Sequence, residues 1–495
     1  MSNNSKNSIL DCQHFYLVGI KGVAMTSIAQ CLIDAGKTVC GSDLDEDFVT
    51  AKILTEKNIC VENFDENFLQ KESNKKIDCL IYTAAHQGVD NPQVQAAIQA
   101  QIPVYSQAEA LADLFNQKKG IAVCGVGGKS STSAMLVWVL EKLNIPISFS
   151  VGVGEIIGLK ATGSWKSDAE YFIAEADEYA VDANAIKKGE KMIPRFSFLQ
   201  PSILVCTNLK YDHPDVYPNF DATKETFKNF FLQIKKNGSL IINADNPELV
   251  ALSEEVKKVR EDLKIISFSW QGPANYSFDN WQIKNGQNLA EINQELEDKQ
   301  DHCQLRLKVP GQFNLMNALA AIAALSELKI SLPNICQKLC QFQSTKRRFE
   351  LVHLKSNQLF FDDYAHHPSE ISEVIRTLNQ YFPENKKLIA FQPHTYSRTK
   401  SMFKDFVDAL GSNISNQDQL IILDIFASAR EKLDDSVSSQ KLVQAISDKF
   451  PQVKVLYLSD INHLAKYLKE NQFDLTITVG AGDIYKVYQL LSFTQ

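Results

Sequence analysis

A chain of 495 residues, 44% hydrophobic and 22% charged, has apolar material for roughly two to four packed domains, which excludes a disordered or fibrous protein. Its net charge of −8 gives no general attraction to nucleic acid or to acidic membranes. No apolar run reaches the ~20 residues that a bilayer span needs, and residues 1–7 are polar, without the apolar core of a signal peptide.

Short apolar runs alternate with helical patterns, so the expected class is α/β with parallel sheets. Residues 14–18 read as a strand, followed by a glycine turn and a helix over about 23–35. Further strands are expected at 38–40 and 79–82. After the polar stretch 116–119 the pattern restarts, with a strand at 120–124 and a helix over 129–143. Strands at 171–174, 203–206 and 240–242 follow. Residues 270–308 alternate apolar and polar positions, as in Leu305-Arg306-Leu307-Lys308-Val309, which predicts an antiparallel excursion. A helix is expected over 317–328, then a third α/β pattern with strands at 359–361, 388–391, 420–423 and 475–479. Boundaries near 117 and 345 divide the chain into 1–117, 118–345 and 346–495. The ten cysteines show no Cys-x-x-Cys pair and no zinc spacing, and most sit in apolar runs. They read as buried free thiols of a reducing compartment, with Cys336 and Cys340 as neighbours on one helix face.

The sharpest signal is Gly125-Val126-Gly127-Gly128-Lys129-Ser130-Ser131-Thr132, placed between a strand and a helix. Glycines let backbone N–H groups approach an anion, and the helix N-terminus adds its unpaired donors. Lys129 offers a charge for β- and γ-phosphates and Ser130 a hydroxyl for Mg2+. The loop is short: two residues separate Gly125 from Gly128, where the Walker spacing has four. Glu175-Ala176-Asp177-Glu178 follows the strand at 171–174, where carboxylates face the ligand crevice of an open sheet. Glu175 is the first candidate to hold Mg2+ with Ser130. His213 follows the next strand, as a candidate ligand for a second cation or a support for the γ-phosphate. Lys129, Ser130, Glu175 and His213 together describe ATP with one or two Mg2+ ions.

These motifs resemble the Mur ligase family, ATP-dependent enzymes that build the peptide of peptidoglycan precursors, over nearly the whole chain. The loop 125–132 resembles the family's Gly-Thr-His-Gly-Lys-Thr-Thr-Thr, with Gly127 at the usual histidine. Glu175-Ala176-Asp177-Glu178 and Asp212-His213-Pro214-Asp215 are similar to its two metal-site motifs. Gly311-Gln312-Phe313-Asn314-Leu315-Met316-Asn317 is similar to Gly-x-x-Asn-x-x-Asn, which implies adenine contacts from Asn314 and Asn317. Lys346-Arg347-Arg348-Phe349-Glu350 and Asp362-Asp363-Tyr364-Ala365-His366-His367-Pro368 resemble the start of its third domain, implying phosphate contacts from Arg347 and Arg348. Gly19-Ile20-Lys21-Gly22-Val23-Ala24-Met25 resembles its first glycine motif, with Lys21 and Ala24 in place of glycines. The resemblance assigns the UDP part of a substrate to Gly19, Gly22, Met25, Ser42 and Asp43. Lys21 beside a diphosphate either adds charge or crowds the backbone, and Gln107 stands where many members carry arginine.

Phe391-Gln392-Pro393-His394-Thr395-Tyr396-Ser397-Arg398-Thr399, Ala427-Ser428-Ala429-Arg430-Glu431 and Gly480-Ala481-Gly482-Asp483-Ile484 narrow the resemblance to the alanine-adding branch. Glu178-Tyr179 and the stretch to Pro201 lean toward a peptide-recycling branch. The resemblance implies a Rossmann-like N-terminal domain for the UDP-sugar, a central P-loop ATPase-like domain and a C-terminal Rossmann-like domain that closes with the amino acid. The implied activity is a cytoplasmic, ATP- and Mg2+-dependent ligation of L-alanine to the lactyl carboxylate of UDP-N-acetylmuramate through an acyl phosphate, by a monomer or weak homodimer. Lys129, Glu175, His213, His366 and Arg398 are the implied catalytic set, with His366, His394 and Arg398 around the amino acid or acyl phosphate. Gly125, Val126, Gly127, Gly128, Lys129, Ser130, Ser131 and Arg348 are the implied nucleotide contacts, and His367 before Pro368 is structural. The altered residues at Val126 and Gly127 keep a non-catalytic nucleotide-binding homologue as the alternative, beside the recycling ligase.

Overall fold

Three β-sheets, each flanked by helices, follow one another along the chain. The computed structural model describes residues 8–491 except 47, 183–188, 271, 285, 297–298, 356–357 and 428–432. Residues 1–7 and the motif residues Ser428, Ala429, Arg430 and Glu431 therefore lie outside the described residues. The first sheet has five parallel strands in the order Cys60–Asn63, Thr38–Asp43, His14–Val18, Cys79–Tyr82, Val104–Ser106. Strand order reverses at His14–Val18, which opens a crevice beyond the carboxyl ends of its strands. Phe15 to Val18 are at most 1% exposed, as expected of a parallel strand covered on both faces.

The central sheet has ten strands. Lys119–Cys124 lies between Tyr171–Glu175 and Ile203–Cys206, all parallel. Beyond Ser239–Asn243 and Lys264–Phe268 the sheet ends in three strands, Tyr276–Lys284, Gln287–Leu296 and Lys299–Leu307, joined antiparallel to one another. This is the excursion that the alternation over 270–308 predicts. The following helix starts at Gln312, ahead of the predicted 317, because Gly311 at φ 99° turns the chain straight into it. The third sheet has six strands, ordered Glu350–Lys355, Gln358–Asp363, Leu475–Val479, Lys387–Phe391, Gln419–Ile422, Lys454–Tyr457, with only the first antiparallel. All ten cysteines are free thiols, but only Cys31, Cys79, Cys124, Cys206 and Cys336 are buried, and Cys60 on an edge strand is exposed.

The first and central units are seamed together. The helix Val23–Asp34 rests on the central strands Ile147–Ser150 and Gly163–Ser164. Ser27 Oγ meets Ser150 Oγ at 2.7 Å, Gln30 donates to Thr162 Oγ1 at 2.9 Å, and Ser164 Oγ donates to Asp34 at 2.8 Å. A Cβ on Gly163 would sit 1.9 Å from the Ser27 carbonyl oxygen. Gly163→Ala is therefore expected to destabilise the protein by about 2–3 kcal/mol, measured as a lowered urea midpoint. An unchanged midpoint would mean that the seam carries no stability.

The chain enters the third unit through residues 344–348, which pair with a central loop. Lys346 N–H donates to the Glu155 carbonyl at 3.0 Å and Ile157 N–H to the Ser344 carbonyl at 3.1 Å.

Candidate active site

The turn 125–128 leads from Lys119–Cys124 into the helix Lys129–Lys142. Gly125, Gly127 and Gly128 have φ of 122°, 94° and 82°, a region that strains any side chain. Space adds a second restriction: a Cβ on Gly125 would lie 2.3 Å from Thr207 Oγ1, and one on Gly128 2.5 Å from Asn317 Oδ1. Thr207 Oγ1 and Asn208 Nδ2 donate to the Gly127 carbonyl at 2.7 and 3.2 Å and fix the loop.

Lys129 donates to Glu178 Oε1 and Oε2 at 2.9 and 2.7 Å. Burial alone would lower its pKa, but Glu178, Asp177 and Glu175 outweigh burial and hold the ammonium charged. Ser130 Oγ donates to Glu175 Oε1 at 2.9 Å, and Gly152 N–H to Glu175 Oε2 at 3.1 Å. Burial pushes the Glu175 carboxyl up, against Lys129 and Arg348. Burial also opposes ionisation of Asp177, yet Arg195, Lys129 and His213 bring it down to about 2. Arg195 Nη1 lies 2.6 Å from its carboxylate. His213, at φ 57°, places Nε2 3.7 Å from both Glu178 and Asp212, and these two anions raise its pKa against burial.

The third unit supplies the opposite wall. Arg398 donates to Asp212 Oδ1 through Nε at 3.3 Å and Nη2 at 3.2 Å. His366 Nδ1 lies 3.0 Å from the Tyr364 carbonyl, which can only accept, so Nδ1 carries the proton and Nε2 keeps its lone pair. Burial, with Arg398 nearby, takes His366 down to about 4. His394 stacks on Phe426 with centroids 5.7 Å apart, and its ring is 6.2 Å from that of His366.

His366 gives a pH prediction. Its folded pKa lies below the ordinary 6.5, so its contribution to stability is present above 6.5 and lost as pH falls through about 4. His366→Gln should therefore lose about 2–3 kcal/mol less stability than wild type between pH 7 and pH 4. Parallel acid curves from urea titrations would remove His366 as a buried neutral imidazole.

A cavity of about 680 Å3 lies between the three units. Lys21, Gly22 and Phe48 line it from the first, Lys129, Ser130, Glu175 and His213 from the central one, and His366, His394 and Arg398 from the third. A second cavity, about 380 Å3, is lined by Ser131, Asn208, Trp270 and Asn317. Val126, Gly127, Gly128, Arg348 and Glu370 line both.

Several expected site residues have other placements. Gly19, Met25, Ser42 and Asp43 do not line either cavity. Met25 is in the core, Ser42 Oγ donates to Gln93, and Asp43 accepts from the Lys21 and Leu44 N–H groups. Gly19 N–H donates to the Ser42 carbonyl at 2.8 Å, which ties the first turn to the second strand. Gly125 lines neither cavity because it packs on Thr207. Asn314 points to the Pro310 carbonyl at 2.6 Å, leaving Asn317 to face the second cavity. Arg347 is spent internally, on Asp362 and the Gly480 and Gly482 carbonyls, whereas Arg348 reaches Ser130 Oγ at 3.4 Å. His213 meets Glu178 and Asp212, while Ser130 pairs with Glu175. His367 caps the helix Pro368–Tyr381.

Ser130 and Glu175 fit Mg2+, which takes hard oxygens and keeps several waters of its own. Among the described residues no group of three His, Cys, Asp or Glu side chains is spaced to hold a metal by itself. Two further acids, Glu178 and Glu370, line the first cavity. Glu178, which pairs with Lys129, is one of three carboxylates within four residues. Glu370 was legible in principle, since His367-Pro368-Ser369-Glu370 has capping-box spacing.

Residues 14–119 match the Mur ligase family catalytic domain, 123–325 the Mur ligase middle domain and 347–482 the Mur ligase glutamate ligase domain. The UDP-N-acetylmuramate–L-alanine ligase of Clostridium acetobutylicum is 35% identical over 99% of this chain and 99% of that protein. The chain belongs to the Mur ligase family. A second Mur ligase, the UDP-N-acetylmuramate–L-alanine ligase of Desulfitobacterium hafniense, is 31% identical over 97% of this chain and 99% of its own. The fold matches the UDP-N-acetylmuramate–alanine ligase of Thermotoga maritima with a TM-score of 0.76, at 22% identity over 97% and 98% of the two chains. A murein peptide ligase from Psychrobacter arcticus matches at 0.68, with 21% identity over the same shares. Among the described residues of this Mur ligase no helix is long and apolar enough to cross a membrane.

Proposed function

We propose that the chain is a cytoplasmic ATP-dependent ligase that joins L-alanine to the lactyl carboxylate of UDP-N-acetylmuramate, releasing ADP and phosphate, in peptidoglycan precursor synthesis. The observation that carries this is one cavity lined by Lys129 and Ser130 from the nucleotide loop and by His366 and Arg398 from the facing unit. Residues 1–117 would hold the UDP-sugar, 118–345 the ATP, and 346–495 would close with the amino acid.

The lactyl carboxylate attacks the γ-phosphorus, forming an acyl phosphate and ADP. Two anions must meet, and Lys129 and Arg348 supply the opposing charge. Ser130 and Glu175 would hold Mg2+, which when bound screens and orients the phosphoryl oxygens. Asn317, beside the glycine turn, serves the base in the second cavity. The alanine amine then attacks the acyl carbon, and phosphate leaves. Neutral His366 accepts the amine proton at Nε2, while Nδ1 stays on the Tyr364 carbonyl. Arg398 and His394 orient the acceptor, and the closed wall keeps water from the acyl phosphate.

The test is phosphate release by the full chain with ATP, Mg2+ and UDP-N-acetylmuramate, with alanine, glycine, serine or a tripeptide as acceptor. Alanine is expected to give the highest kcat/KM. A tripeptide preference would make the enzyme a recycling ligase. Binding of nucleotide and UDP-sugar without ADP formation would make it a non-catalytic homologue.

A further inference from the structure

We infer that Glu370 is a positioning residue for His366: from the first turn of the helix Pro368–Tyr381 its carboxylate holds the backbone at His366 and faces the imidazole from the Nδ1 side. The inference rests on the proposed use of His366 as the acceptor of the amine proton. Local sequence puts the carboxylate there. Pro368 opens the helix and Glu370 is its third residue, so the side chain turns back over the residues that precede the helix. Oε2 accepts from the His366 N–H at 3.2 Å and from the His367 N–H at 3.4 Å, and it lies 3.8 Å from His366 Nδ1. Oε1 turns to the glycine loop, 3.1 Å from where a Cβ on Gly127 would stand, and the missing side chain there leaves room for it.

Charge shows what the carboxylate serves. An anion beside a loop that receives phosphates repels them, so its gain has to lie elsewhere. Burial opposes ionisation of Glu370, yet His366, Arg348 and His367 hold its carboxyl below the usual range. Around His366, burial and Arg398 oppose a second proton, whereas Glu370 and Asp212 favour it. Asp212 gives Oδ1 to Arg398 at 3.2 and 3.3 Å, while Glu370 Oε2 accepts from neutral backbone N–H groups. The Tyr364 carbonyl fixes the ring at Nδ1, and the His394 ring lies 6.2 Å away.

As the amine nitrogen bonds to the acyl carbon, one of its N–H bonds breaks. The nitrogen keeps that electron pair, and the proton passes to the lone pair of Nε2. The imidazole then carries a full positive charge, and the Glu370 carboxylate stabilises it from the opposite edge of the ring. The same contact to the His366 N–H keeps the ring from swinging away from the cavity.

Two acceptors separate this task from a role in the fold or at the phosphates. The full chain is assayed with ATP, Mg2+ and UDP-N-acetylmuramate, and with either alanine or hydroxylamine. Hydroxylamine is largely neutral at pH 7 and attacks an acyl phosphate without a base, giving a hydroxamate. Glu370→Gln keeps an oxygen that can accept both N–H groups but loses the charge. It should lower kcat with alanine about tenfold and leave hydroxamate formation and the KM for ATP within about twofold. Glu370→Asp, which keeps the charge, should recover most of the alanine rate. In a His366→Gln background, Glu370→Gln should lower the alanine rate no further. An equal loss with both acceptors, an unchanged alanine rate in Glu370→Gln, no recovery in Glu370→Asp, or a further loss in the double variant would overturn the assignment. Wild type that forms neither product would instead overturn the proposed function, and this inference with it. Melting curves of all the variants check that each is folded.

Discussion

Lys129→Met is expected to cut alanine-dependent phosphate release about a thousandfold, because it removes the positive charge at the head of the nucleotide loop. The same substitution carries a stability cost that a surface lysine would not. Glu178, only 2% exposed, would be left charged and without its partner. Breaking a buried pair from one side costs about 3 kcal/mol. That corresponds to a melting temperature roughly 6–12 °C lower for a unit of 150–250 residues. Lys129→Met combined with Glu178→Gln removes the stranded charge, so it should regain most of the stability and none of the activity. Full activity in either variant would mean that Lys129 does not serve the phosphates.

The second large effect is at Arg398. Arg398→Met should lower kcat/KM for alanine about a hundredfold while leaving the KM for ATP within a factor of about three. The guanidinium bridges the third unit to Asp212 of the central unit, with both side chains less than a tenth exposed. Asp212 is held well below the usual carboxylate range against burial by His213 and Arg398. Without Arg398 the two units lose that tie, and small-angle scattering should report a larger radius of gyration. Arg398→Lys should restore little, because a point charge does not reproduce the two-pronged contact. Unchanged alanine kinetics would place Arg398 outside the reaction.

The sheets were legible wherever an apolar run was long and buried on both faces, as at Lys119–Cys124 and Leu475–Val479. Short strands such as Gly163–Ser164 and Val104–Ser106 carry too few residues to show a period. The turn before Lys129 could be read because its glycines are demanded by the backbone path from strand to helix. Which acid would pair with Lys129 could not be read, since Glu175, Asp177 and Glu178 are chemically alike and only the path after Tyr171–Glu175 sends Glu178 to the ammonium. Arg347 and Arg348 are adjacent in sequence yet part company, one clamped inside the third unit and one facing Ser130. Asn314 and Asn317 share a helix, and the Pro310 carbonyl captures the first. In each case the residue type was informative and the direction was not, because direction depends on a neighbour far along the chain.

The docking of Val23–Asp34 onto the central sheet makes the molecule a gauge of length. Ser27, Gln30 and Asp34 all bond across that boundary, so the first glycine turn and Ser130 stand at a separation that is set before any ligand arrives. Under the proposed function a donor would be accepted by its reach: its nucleotide end and its carboxylate end would have to span that interval, and a shorter or longer connection would present the carboxylate out of line with the phosphorus. The acceptor side is joined to the same central unit by residues 344–348 and by the Arg398–Asp212 pair, so it faces an interval already fixed.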